Sequence, residues 1–194
     1  KVSYNPHLII QYPKNLKIDV NDIYIYSEKE DRIIFVNDPE NEQLEINPLL
    51  EHHINDTNVL LISGLNAIKQ NELLIKRIEI LKKYLKNLPK QSYVFYEDGC
   101  FHNEKHSSLV KDFLFDTVDI CSMNQNEFKT VVGNYEFLSN PTKLFNCLEL
   151  FYRKYSLKLI ILHTSFWSLS YGYRAKLFSK CLTNGILMSS CRML

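Results

Sequence analysis

From Asn58 onward the chain alternates short runs of β-branched and aromatic residues with longer stretches in which apolar side chains recur every three or four positions, the pattern of βαβ units. Asn58-Val-Leu-Leu-Ile-Ser63 reads as a buried strand that stops at Gly64. Leu74, Ile78, Leu81, Leu85 and Leu88 then form the stripe of an amphipathic helix, which Pro89 ends. Ser92–Glu97 predicts a second strand, Lys105–Phe115 a short helix, and Thr117–Cys121 a third strand running into Asn124. Asn124–Val131 predicts a helix whose first free amides are capped by the Asn124 side-chain oxygen. A longer helix opens at Pro141 with Leu144, Leu148, Phe151 and Tyr155 on one face, and Leu157–Leu162 predicts a fourth strand. Tyr173–Leu182 reads as another helix and Ile186–Ser190 as the start of a further strand. Such alternation implies an α/β fold, a mainly parallel sheet flanked by helices on both faces.

The first 45 residues break this rhythm. His7–Tyr12 and Arg32–Val36 read as strands joined by a polar loop, with no helix between them. Two parts are therefore expected: a small β-rich appendage over 1–45 and an α/β core over 46–194.

Composition changes the picture little. At 45% apolar, 194 residues suffice to bury a core. Lys plus Arg number 23 against 22 Asp plus Glu, and no like-charged block stands out, so nothing selects nucleic acid or another polyanion as a partner. The longest apolar runs fall well short of the roughly 20 residues a membrane-spanning helix needs, so no transmembrane segment is expected. The chain starts at Lys1 without a methionine or a signal-peptide pattern, and the native start is expected upstream. Cys100, Cys121, Cys147, Cys181 and Cys191 show no C-x-x-C spacing and are odd in number, which favours buried free thiols over a disulfide framework.

Ligands of open parallel sheets bind beyond the carboxyl ends of the strands. Three predicted ends are polar: Ser63-Gly-Leu-Asn66, Glu97-Asp-Gly99 and Ser122-Met-Asn-Gln-Asn-Glu127. Glu97 and Glu127 would suit a hydrated Mg²⁺, which keeps most of its waters and needs few protein ligands. Each also has a plainer reading. Glu97 can be an exposed charge where a strand leaves the core, and Asn124 with Glu127 can be an N-cap and its capping-box partner. His52 and His53 adjoin and His102 and His106 share a helix face, but no third ligand stands at a zinc spacing from either pair. His163-Thr164 ends the fourth strand, where a hydrogen-bonded structural histidine is the plainer role. Trp167 and the aromatic residues around it are expected to pack in the core or a lid. No Walker-type loop, G-x-G-x-x-G or nucleophile elbow occurs.

Taken in order, His7-Leu-Ile-Ile-Gln-Tyr12, Asp31-Arg-Ile-Ile-Phe-Val-Asn-Asp38, Val59-Leu-Leu-Ile-Ser-Gly-Leu65, Val94-Phe-Tyr-Glu97, Ser122-Met-Asn-Gln-Asn-Glu127 and Ile161-Leu-His-Thr164 resemble segments of the ADP-dependent glucokinases, closest to the animal form. The resemblance implies a ribokinase-like core with part of a small β-rich lid. It also implies Mg²⁺-dependent transfer of the β-phosphoryl group of ADP to the 6-hydroxyl of glucose, giving glucose 6-phosphate and AMP in glycolysis. The family's N-x-x-E motif falls on Asn124 and Glu127, which it assigns to organising the metal and its waters. Its H-x-E motif falls on Phe95, Tyr96 and Glu97, so Glu97 keeps a metal role while Phe95 replaces the histidine. Its Asn-Arg pair falls on Asp31 and Arg32, making Arg32 a candidate phosphate or sugar contact. Its G-x-G-D motif, which carries the catalytic base, is expected C-terminal to Leu194, so no catalytic residue is assigned here and the chain alone is expected to be inactive.

The parent protein is thus read as an ADP-specific hexokinase acting on small molecules, ADP and glucose, as a monomer. The alternative, which Phe95 and Asp31 favour, is a degenerate relative that binds nucleotide or sugar without turnover. A scaffold of the same fold that binds neither is a third reading. The animal resemblance implies the endoplasmic reticulum, with the cytosol as the alternative compartment.

Overall fold

The computed structural model describes residues 8–28, 30–35, 39–133, 140–164 and 166–191; the matched positions His7 and Val36–Asp38 lie outside them. It comprises two compact units, 1–42 and 43–194.

In the first unit β1 (Leu8–Tyr12) pairs antiparallel with β4 (Asp31–Phe35), and Gln11 lies opposite Arg32. The stretch between them is not the expected polar loop. Lys17–Val20 (β2) and Ile23–Tyr26 (β3) form a second antiparallel hairpin. Asn21 and Asp22 turn it with positive φ of 52° and 66°, the geometry that matches the twist of paired strands. The Asp19 carboxylate accepts from the Asp22 amide and holds the turn. No residue of these four strands is buried. The short helix α1 (Pro39–Gln43) ends this unit, and the short helix α2 (Leu50–His53) already belongs to the second.

In the second unit β5 (Val59–Ile62), β6 (Tyr93–Glu97), β7 (Ile120–Asn124) and β8 (Leu159–His163) run parallel in chain order. Strand β9 (Ser168–Gly172) turns back antiparallel on β8. The crossovers are α3 (Asn71–Asn87), α4 (Glu104–Leu114), and α5 (Gln125–Val132) followed by α6 (Pro141–Lys154). Consecutive right-handed crossovers that advance in one direction place their helices on one face. The core shows this: Leu60, Ile62, Val94, Tyr96, Cys121, Met123, Ile160 and Leu162, alternate residues of four strands, share one cluster with Leu74, Ile78, Val110, Leu114, Phe128 and Phe151 of the helices. Phe115 sits within it, its ring edge-on to Phe151, Tyr155 and Tyr96 at 5.3, 4.7 and 6.4 Å.

The opposite face is not fully covered, as had been expected. Val59 and Leu61 are 57% and 62% exposed. What covers the rest is α7 (Ala175–Cys191), whose Phe178 ring meets Tyr93 edge-on at 6.2 Å. Helix α7 also replaces the strand expected over Ile186–Ser190. A short apolar run fits either period, and the helical one continues through Asn184-Gly185, with the Thr183 hydroxyl donating back to the Ser179 carbonyl. The cysteines are free, but only Cys121 is buried; Cys181 and Cys191 ride on the partly covered α7, and Cys100 lies on the exposed loop after β6. None of the described helices is long and apolar enough to cross a membrane.

Gly172 shows how tightly the β8–β9 edge is built. Its φ is +121°, and a Cβ there would lie 2.6 Å from both the Lys158 carbonyl oxygen and the Tyr152 ring. Gly172→Ala is expected to cost about 1–3 kcal/mol, read as a lowered urea midpoint with unchanged slope.

Candidate active site

The sheet brings its polar ends together at the carboxyl edge. Gly64, with φ of +81°, turns β5 into a 3-10 turn at Leu65–Ala67. Asn66 of that turn donates to the Cys100 carbonyl at 3.3 Å, which draws the first two strand ends together. Its amide fills the space beside Gly99, where a Cβ would come within 2.6 Å of it. Strand β7 runs to Asn124, three residues further than expected, so Asn124 both ends the strand and caps α5. Its side-chain oxygen accepts from the amides of Asn126 and Glu127, and Glu127 Oε2 accepts from the Asn124 amide at 2.7 Å. The capping-box reading of this pair is therefore met in full. It uses one oxygen of Glu127, Oε2.

Glu97, Ser122 and His163 lie on the face opposite the main core, on three neighbouring strands. His163 Nε2 stands 3.4 Å from Glu97 Oε1. Burial pushes the Glu97 carboxyl up, but its hydrogen bonds with His163 and Ser122 outweigh this and hold it below the usual carboxylate range. The same bond raises the His163 imidazole above its ordinary value, against burial. Behind them Asp98 is buried: its Oδ1 accepts from the Tyr96 hydroxyl at 2.6 Å, and its Oδ2 makes no hydrogen bond and lies 3.5 Å from Lys111 Nζ. Burial drives the Glu127 carboxyl up, the Asn124 amide draws it down, and the negative charges of Asp98 and Glu97 add to the rise, which prevails.

The two carboxylates singled out from the sequence open onto different cavities. Glu97 lines one of about 830 Å³ between the second sheet face and α7, together with Phe95, Ser122, His163, Trp167 and Phe178. Glu127 lines one of about 560 Å³ on the other side, with Lys111, Asn126 and Thr130. Trp167 is 37% exposed at the rim of the larger cavity and is not core packing. Thr164 fixes that rim: its hydroxyl oxygen accepts from the amides of Phe166 and Trp167, both at 3.0 Å. Arg32 belongs to the other unit, on β4.

Among the described residues no three His, Cys, Asp or Glu side chains are placed to hold a metal ion directly. Burial first, and then the charges of Asp98 and Glu97, raise the Glu127 carboxyl; a cation whose coordinated waters bonded Glu97 and Glu127 would relieve the charge part of that rise. The clamp that Ser122 and His163 form on Glu97, and the buried Tyr96–Asp98–Lys111 group, were not singled out from the sequence. Strand alternation would have shown the first, since Phe95, Glu97, Ser122, Ile161 and His163 all point to one face in the observed register.

The profile of the ADP-specific phosphofructokinase/glucokinase conserved region matches residues 2–167. The chain belongs to this family. A hypothetical ADP-dependent phosphofructokinase from Pyrococcus horikoshii superposes with a TM-score of 0.61 at 13% identity, covering 87% of this chain and 42% of its own. An ADP-dependent kinase in complex with fructose-6-phosphate and ADPβS gives 0.60 at 14% identity, with the same coverage of 87% and 42%. Ribokinase from Giardia lamblia gives 0.57 at 14% identity, covering 76% of this chain and 43% of its own. These likenesses establish the ribokinase-like fold. The chain spans about two fifths of the length of each of these solved relatives. No curated protein sequence matches it.

Proposed function

We propose that the native protein carrying this chain is an ADP-dependent sugar kinase whose acceptor is a neutral hexose, glucose, and that the larger cavity receives it. The observation that carries this reading is the Glu97 carboxylate at the strand ends, the one acidic group among the described residues of a cavity whose lining mixes aromatic, aliphatic and hydroxyl side chains with His163. A carboxylate held ionised accepts hydrogen bonds from sugar hydroxyls and repels a sugar phosphate. Aromatic walls such as Phe95, Trp167 and Phe178 suit the apolar face of a pyranose. The family membership supports ADP as donor and AMP as product.

In this reading Glu97 and Glu127 hold the waters of Mg²⁺, Asn124 fixes Glu127, Arg32 contacts phosphate or sugar, and the first unit serves as part of a lid. A divalent cation bound there supplies neutralisation of phosphate charge, which with positioning makes up most of phosphoryl-transfer catalysis. Phe95 shares a face with Glu97, so an imidazole restored there reaches the acceptor site. Phe95→His is expected to raise turnover on the order of tenfold, the worth of one hydrogen bond to a charged group. Unchanged turnover would remove that position from the reacting atoms.

Trp167 is the single tryptophan of the chain and lines the cavity, so its fluorescence reports occupancy in a variant whose other tryptophans are replaced by phenylalanine. Glucose is expected to change it saturably and fructose 6-phosphate not to. The reverse preference would make the acceptor a sugar phosphate, and no response to either would support a relative that does not bind sugar.

A further inference from the structure

We propose that His163 is a positioning residue for Glu97, acting across Ser122; the inference rests on the reading of Glu97 as a carboxylate that organises the waters of a divalent cation. Glu97 sits on β6 and His163 on β8, with β7 between them. Neighbouring strands are about 4.8 Å apart, so the two backbones are separated by roughly 10 Å and only long side chains leaning toward each other can meet. They do meet, at 3.4 Å from Nε2 to Oε1. The span is diagonal: Glu97 is in register with Ser122 and, through it, Ile161, while His163 lies two residues further along β8, opposite Asn124. A serine is small enough to leave the path open, and its hydroxyl adds to what holds the Glu97 carboxyl below the usual range.

A carboxylate at a strand end with one neighbour would swing. The His163 contact at 3.4 Å ties it to a strand two places away and so restricts that swing. His163 is itself fixed, because its strand is hydrogen-bonded on both sides: it lies opposite Asn124 on β7 and Ser168 on β9. The clamp therefore ties Glu97 to the same strand end that carries the Asn124–Glu127 capping box. Partners of this kind, one shell out from a metal's ligands, are worth 10- to 100-fold in metal affinity or activity when removed.

The test uses the native protein with Mn²⁺ as the probe, its free concentration read by electron paramagnetic resonance with ADP present and no sugar, so that no turnover intervenes. His163→Leu, which removes the donor, is expected to weaken Mn²⁺ binding 10- to 100-fold. His163→Gln, which keeps an N–H within reach of Glu97, is expected to restore it to within about threefold of the parent. Ser122→Ala is expected to give a smaller loss in the same direction, and thermal melts check that each variant is folded. Parental affinity in a folded His163→Leu overturns the positioning role. So does a His163→Gln variant as weak as His163→Leu, with both melting lower, since that assigns the histidine to the fold. If the parent protein with ADP does not bind Mn²⁺ at all, the reading of Glu97 falls, and this inference with it.

Discussion

Glu127→Gln in the native protein is expected to lower turnover 10- to 100-fold while leaving unfolding free energy within about 1 kcal/mol of the parent. The residue holds two jobs that this substitution separates. As the third residue of α5 it accepts from the Asn124 amide through Oε2, and the glutamine carbonyl oxygen accepts in the same way, so the capping box survives. The carboxylate charge does not. Glu127 is only 7% exposed, and the charges of Asp98 and Glu97 add to the burial that raises its carboxyl, so the fold gains nothing from ionising it. A cation's water shell does gain. Steady-state rates at saturating Mg²⁺ and urea melts on one preparation decide between the two jobs. Parental turnover takes Glu127 out of the site and leaves it a helix cap, whereas a large stability loss shows that the cap needs the charge.

Phe115→Ala is expected to cost about 3–5 kcal/mol of stability, the range for truncating a fully buried aromatic side chain. Phe115 is 1% exposed, and its ring touches Phe151, Tyr155 and Tyr96, so its loss opens a hole that three large rings cannot close without leaving their rotamers. The effect reaches the site through Tyr96, whose hydroxyl donates to Asp98, the residue after Glu97. Urea unfolding followed by far-UV circular dichroism measures it. A loss under about 1 kcal/mol would contradict the placement of Phe115 at the centre of the core.

These two residues also mark what could be read from the chain directly. The α/β rhythm was legible because each parallel strand is a short apolar run bounded by turn residues, and each crossover carries a clean three-four stripe; the stretch from Val59 to Lys154 follows both rules. The capping box was legible because its signal is local, an Asn followed three residues later by Glu. What was missed depends on distant partners. The β2–β3 hairpin was missed although Ile23-Tyr-Ile-Tyr26 has a strand-forming composition, because its strands are only four residues long and the polar residues on either side of them read as a loop. Strand β9 is short and serine-rich, and its place is set by pairing with β8. Helix α7 carries an apolar run whose period is ambiguous until the sheet face beneath it is known. The separation of Glu97 and Glu127 onto different cavities follows from strand parity and helix entry together, which neither motif contains.

The most direct test of the account is release of AMP by the native protein with Mg²⁺, comparing ADP with ATP as donor and glucose with fructose 6-phosphate as acceptor. The account predicts AMP formation that requires glucose and ADP together, with glucose 6-phosphate appearing in equal amount. AMP formed with fructose 6-phosphate and not with glucose would contradict the acceptor assignment, and no glucose-dependent AMP from ADP would contradict the kinase reading itself.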